Sequence, residues 1–110
     1  AIGMGRLVRK AMATDCWGGK KPNILVVAPP PIGAGMLQSP VADTMGDGCV
    51  VKSEKLPHYY REQCQILGCH FLDAGALGCE FNQIDYMHLT RADHAVLAER
   101  LAELVPALIK

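Results

Sequence analysis

The stretch that decides the fold is ILVVAPPPIG, residues 24–33. Ile24 to Ala28 is a continuous apolar run, β-branched at Ile24, Val26 and Val27, and it stands between Pro22 and Pro29. A run this short, without alternation, reads as a strand apolar on both faces, and such a strand belongs in the middle of a parallel sheet covered by helices. Proline then stops the ladder, and Gly33 frees the backbone at the strand's carboxyl end. Ligands of open α/β sheets gather beyond the carboxyl ends of the strands, so PPPIG marks one border of any site.

Upstream, Ile2, Met4, Leu7, Val8 and Met12 approximate a helical stripe with Arg6, Arg9 and Lys10 on the other side, predicting an amphipathic helix over residues 1 to 13. TDCWGGKKPN is a turn-rich connector to the strand. Downstream, residues Met36 to Val51 show no period and carry Gly, Pro, Asp and Thr, so a long surface loop is expected. SEKLPHYYREQCQIL, residues 53–67, predicts a second helix that ends at Gly68 and has Pro57 in its first turn. CHFLDAG, residues 69–75, predicts a second short strand. Thr90 followed by Asp93 has the capping-box spacing for a last helix, with Ala95, Leu97, Ala98, Leu101, Leu104, Val105 and Leu108 as its apolar stripe. The order α, β, α, β, α implies parallel strands joined by crossover helices. Two strands do not cover their own apolar faces, and sheets of this kind usually have more, so the expected architecture is half of a doubly wound domain.

The 110 residues have 11 basic and 11 acidic side chains and are half hydrophobic, a globular composition that offers no basic field for nucleic acid or an anionic membrane. No apolar run is long enough to span a bilayer and no signal-peptide layout opens the chain, so the cytoplasm is the expected location. The opening AIGMGRLVRKAM lacks an initiator methionine and is expected to continue a longer chain. Cys16, Cys49, Cys64, Cys69 and Cys79 include no C-x-x-C pair and read as free thiols. Cys69 and His70 are neighbours on a strand, where successive side chains face opposite ways, which argues against a Cys-His nucleophile.

The pattern with chemical content is NQIDYMHLTRADHA, residues 82–95. Asp85 and His88 stand three apart on the loop before the capped helix. A histidine acting as a base needs a partner for its other ring nitrogen, which fixes the tautomer and stabilises the imidazolium. A carboxylate three residues earlier on a tight loop can curl back to accept that bond. Alone, D-x-x-H is more often a turn former and a helix-flanking residue; its place at the carboxyl edge of the sheet, together with the flanking blocks, favours the chemical reading. His58, His70 and His94 read as helix-start, strand and helix-surface residues. Asp73, Glu80, Asp85 and His88 match no metal-ligand spacing, so neither a metal nor a cofactor is expected.

Three blocks, PNILVVAPPPI, YYREQCQILGCHFLDAG and DYMHLTRADHAVLAERLAELV, together resemble the C-terminal half of the SGNH (GDSL-type) hydrolases, most closely the bacterial arylesterase-like branch. The likeness covers nearly the whole chain, beginning with AIGMGRLV. It implies that residues 1–110 supply the last two parallel strands and flanking helices of a flavodoxin-like three-layer α/β/α fold. The function implied is that of a serine ester hydrolase (aryl, acyl, acetyl or lipase-like) or acyltransferase, with His88 as general base and Asp85 as its orienting partner. Pro30, Pro31, Ile32 and Met87 are then the expected walls around a small-molecule ester. No G-D-S or G-x-N-D block is present: Ser39 and Ser53 are the only serines and neither has the right context. The nucleophile and most of the oxyanion hole are therefore expected from the missing N-terminal half or another subunit, and this chain alone is expected to be inactive. The competing expectation is a non-catalytic α/β module that assembles, as a homo-oligomer or with another chain, through an exposed sheet edge.

Overall fold

Strands β1 (Leu25–Ala28) and β2 (His70–Asp73) pair in parallel, with Leu25 opposite His70 and Ala28 opposite Asp73. The computed structural model describes residues 1–110. In chain order the elements are α1 (Ile2–Met12), β1, a 3₁₀ turn (Ala34–Gln38), α2 (Ala42–Met45), α3 (Cys49–Leu67), β2, a second 3₁₀ turn (Gly75–Leu77) and α4 (Arg91–Leu108). The α/β class and the parallel crossover order expected from the sequence are both present.

Helix α3 packs against both strands and α1 packs on α3. Phe71 lies beneath Arg61 of α3, whereas Val27 shares a cavity with His94 and Leu97 of α4. Alternation along the strands thus sends one set of side chains to the α3 layer and the other toward α4. Along α4, Leu97, Leu101, Leu104 and Leu108 are half-buried and form the inward stripe, while Ala95, Ala98 and Val105 of the expected stripe are exposed. The α4 carboxyl end is tied to the approach of β1 by the Asn23 side chain, whose Nδ2 donates to the Leu108 carbonyl at 2.7 Å.

Three local expectations are corrected. The segment after β1 is not one long loop but a 3₁₀ turn, the short α2 and the opening of α3. Helix α3 begins at Cys49, so Pro57 lies in its interior and not in its first turn. The Gly48 N-cap supplies no side-chain hydrogen bond, so nothing in the sequence announces that start. His58 is correspondingly a mid-helix residue, with Nε2 3.2 Å from Glu62 one turn on. Pro57 has no N–H to give the Ser53 carbonyl. The Ser53 hydroxyl ties this turn outward as well as back: it donates to the Val50 carbonyl at 2.6 Å and accepts the Ile32 N–H at 2.8 Å. The expected ending holds, since Gly68 is left-handed at φ 72° and the Cys69 N–H reaches the Cys64 carbonyl at 2.9 Å.

Coverage of the sheet is thin. Val27, expected to be buried, is 36% exposed because α4 stands off from it. Only 11 of 110 residues are buried, and the accessible surface is 7485 Å². A compact monomer of this mass exposes about 5,900 Å². The radius of gyration, 15.7 Å, likewise exceeds the value of about 13 Å for a compact domain of this length. The two-stranded sheet has open edges on both sides, and Ile2, Leu7 and Ile66 stand exposed on the helices. No helix is long and apolar enough to cross a membrane.

The capping box of α4 is complete. The Asp93 N–H donates to the Thr90 hydroxyl oxygen at 3.2 Å, and the Thr90 N–H and hydroxyl both donate to the Asp93 carboxylate. Thr90→Ala should lower the unfolding free energy by about 1 kcal/mol while Thr90→Ser keeps most of it, as read from urea unfolding.

Candidate active site

The loop ahead of α4 is held together by two short side chains. Asn82 Oδ1 accepts the N–H groups of Ile84 and Asp85 at 2.8 and 3.0 Å, and the Asn82 N–H and Nδ2 both donate to the His88 carbonyl, at 2.8 and 3.1 Å. Asp85 Oδ1 accepts the N–H groups of Met87 and His88 at 3.0 and 3.1 Å. Asp85 Oδ2 is 2.7 Å from His88 Nδ1. Asn and Asp stabilise turns by bonding backbone two or three residues ahead, and here one Asx turn leads into the next. Closing so tight a loop requires Tyr86 to adopt φ 59°, the only positive φ at a non-glycine residue in the chain.

This loop is docked on the segment that follows β1. The Gly33 N–H donates to the Tyr86 carbonyl at 2.9 Å. The Phe81 ring lies so close over Gly33, and the Tyr86 ring over Gly35, that a Cβ at either glycine would overlap the ring. The two rings are 6.0 Å apart, centre to centre, in a tilted arrangement. GAG at 33–35 is therefore a seat for two aromatic side chains, a role the sequence alone did not reveal. From below, Asp93 anchors the same loop: the buried Cys79 thiol donates to its backbone carbonyl at 3.7 Å. The Thr90 hydroxyl, followed by the Glu80 N–H, holds the Asp93 carboxyl below the usual carboxylate range.

The imidazole of His88 emerges from this frame 78% exposed, against 25% for the Asp85 side chain. Nδ1 is committed to Asp85, and Nε2 makes no hydrogen bond within the chain. Beside it opens a cavity of about 350 Å³. Its walls are Val27, Pro29, Pro30 and Ala74 from the strand ends, Met87 and Leu89 from the loop, and His94 and Leu97 from α4. Of the side chains expected around a substrate, Pro30 and Met87 line this cavity and Pro31 and Ile32 do not. Pro31 lies against Gly75, and the Ile32 N–H is held by the Ser53 hydroxyl of α3. His94, read from sequence as a surface residue of the last helix, is exposed and also lines the cavity. Its distance of six residues from His88 matched no spacing rule, but a first-turn position on a helix that starts at the site is the signal that could have found it.

The electrostatics follow from the loop. The Met87 N–H, then the His88 side chain, then the His88 N–H hold the Asp85 carboxyl far below the usual carboxylate range, so it is ionised throughout neutral pH. Burial pushes the thiols of Cys64, Cys69 and Cys79 up, which leaves them protonated and poor nucleophiles. Both serine hydroxyls are engaged elsewhere, Ser39 with the Met36 carbonyl at 2.7 Å and Ser53 with Val50. Asp73 Oδ1 accepts the Gly75 N–H at 3.0 Å, and no three His, Cys, Asp or Glu side chains gather as a metal site.

No protein-family model and no curated protein matches the chain. Solved structures do. The inhibitor-bound aryl esterase of M. smegmatis superposes with a TM-score of 0.82 at 28% identity, over 97% of this chain and 50% of that one. A carbohydrate acetylesterase from Sinorhizobium meliloti superposes with a TM-score of 0.77 at 31% identity, again over 97% and 50%. The chain spans about half the length of the structures it matches.

Two outcomes are expected of the loop itself. Gly35→Ala displaces the Tyr86 ring and should destabilise the chain by about 1–3 kcal/mol in urea unfolding, with loss of the tyrosine signal in near-ultraviolet circular dichroism. The folded-state pKa of Asp85 is depressed, so its contribution to stability is complete above the unfolded value of about 3.9 and is lost as pH falls toward the folded one. The stability gap between the native chain and Asp85→Asn should therefore shrink as pH falls below about 4, as measured by denaturant titrations from about pH 5 downward.

Proposed function

We propose, from the superposition on arylesterases and carbohydrate acetylesterases over half of their length, that this chain corresponds to the C-terminal half of an SGNH-type hydrolase and contributes the acid–base pair of a serine ester hydrolase. The observation that carries the reading is the pairing of His88 Nδ1 with Asp85 Oδ2 at 2.7 Å, which leaves Nε2 unpartnered beside an apolar cavity.

The chemistry runs through the imidazole. A serine hydroxyl attacks the ester carbonyl while His88 Nε2 takes its proton, and Asp85 holds the Nδ1–H tautomer and balances the imidazolium. The imidazolium returns the proton to the leaving alcohol, giving an acyl-enzyme; water then repeats the sequence to release the carboxylic acid. Transfer of the acyl group to another alcohol in place of water would make the same pair serve an acyltransferase. The cavity walls of Val27, Pro29, Pro30, Met87 and Leu97 suit a small acyl or aryl group.

The serine and the oxyanion donors come from outside these 110 residues, because both serine hydroxyls of this chain are engaged with carbonyls three residues before them. They belong either to a preceding segment of the same polypeptide or to another subunit. The open outer edge of β1 offers further parallel strands a place to extend the sheet. Alone, the chain has a base with nothing to activate and is inactive.

In the complete protein, His88→Ala should lower kcat/KM for an aryl acetate by about 10³–10⁴-fold and Asp85→Asn by about 10²–10⁴-fold, with the circular dichroism spectrum unchanged. A His88→Ala protein that keeps more than about a tenth of the native rate would remove the base from this scheme.

A further inference from the structure

The outer edge of β2 lies on the opposite side of the sheet from the β1 edge and differs from it in charge. Along a parallel strand, residues whose N–H and C=O groups bond one neighbour alternate with residues whose groups point the other way. The His70 N–H donates to the Ile24 carbonyl at 2.9 Å and the Ala74 N–H to the Ala28 carbonyl at 3.0 Å. Phe71 and Asp73 therefore turn their backbone groups to the open side. Their side chains share the α3 face, where the Arg61 guanidinium sits 5.1 Å from the centre of the Phe71 ring. An open cavity of about 410 Å³ runs along this edge between Arg61 of α3 and Arg100 of α4, so no element of the chain covers it.

We propose that this edge is a two-fold interface between copies of the chain, in which β2 pairs antiparallel with the same strand of a second copy about an axis at Leu72. Charge complementarity argues for a second copy and selects the register. Antiparallel hydrogen-bonded pairs join residues that both face outward, so the centre falls on Phe71, Leu72 or Asp73. Centred on Asp73, the two carboxylates oppose each other; centred on Phe71, the two Arg61 side chains crowd together. Centred on Leu72, Phe71 pairs with the partner's Asp73, and that carboxylate enters beneath the Arg61 guanidinium already stationed over Phe71. Symmetry makes the contact twice, satisfies the outward N–H and C=O groups of both strands, and leaves each arginine with a carboxylate partner. Arg100 is already engaged, with Nη1 3.1 Å from Glu103 of its own helix, so it makes no demand on the partner. The interface is independent of the ester chemistry and leaves the β1 edge and the His88 cavity free.

Sedimentation velocity over a concentration series tests this on the complete protein, in which the β1 edge is already paired. The native protein should show a monomer–dimer equilibrium. Arg61→Glu and Asp73→Arg each put like charges at both contacts and should raise the dimer Kd about a hundredfold or more, whereas the double variant Arg61→Glu/Asp73→Arg should return it to within about tenfold of native. Far-ultraviolet circular dichroism identifies a single variant that fails to fold, and restoration in the double variant then decides the matter. The proposal is overturned by a native protein that remains monomeric to its solubility limit. It is equally overturned by single variants that dimerise as the native protein does, or by a double variant that does not recover.

Discussion

A four-residue parallel ladder is what brings the distant parts of this chain together, and its direction matters more than its length. Because β1 and β2 run the same way, both carboxyl ends emerge at one border of the sheet. PPPIGAG continues from one strand and the segment leading to Phe81 and Tyr86 from the other, so the glycines and the rings that pack on them meet without a long detour. An antiparallel pair would place those segments at opposite ends, with the Asp85–His88 loop far from any seat. The ladder itself is set by Ile24 to Ala28, which is apolar enough to require cover and short enough to be nothing but a strand.

The parts of the fold legible in the sequence were those whose signals are local. Ile24 to Ala28 between prolines, Gly68 after a helical stripe, and Thr90 with Asp93 each encode an element or a boundary in a few adjacent residues. The start of α3 was not legible, because Gly48 caps it without a side-chain bond and Pro57 suggested a start further on. In the site, the Asp85–His88 pairing could be anticipated because the partners are three residues apart. Gly33 under Phe81, Gly35 under Tyr86, and His94 on the cavity wall depend on contacts between segments far apart in the chain or on helix orientation, which periodicity does not report. Pro31 and Ile32, expected as substrate walls from their nearness to the strand end, lie outside the cavity beside His88, with Pro31 against Gly75 and the Ile32 N–H bound by Ser53.

Two deficits coexist here. The sheet is under-covered, with 11 buried residues and a surface well above that of a compact monomer, yet the loop that presents His88 is tied by the side-chain hydrogen bonds of Asn82 and Asp85. Global packing and local order are thus separable in this molecule. The first is short of apolar cover, with Val27, Ile2, Leu7 and Ile66 exposed. The second is supplied by Asn82, Asp85 and Asp93, short side chains whose hydrogen bonds stay within their own neighbourhood.

The left-handed Tyr86 bears on this in a further way. Its φ of 59° is a strained choice for an aromatic residue, kept in place by its carbonyl bond to Gly33 and by Asp85 bridging the next two N–H groups. That strain and the lost rotation of the His88 ring are both incurred when the loop folds. An incoming molecule therefore meets an imidazole with one nitrogen already engaged and little orientational entropy left to lose. A flexible loop with the same residues would impose that ordering cost at every encounter.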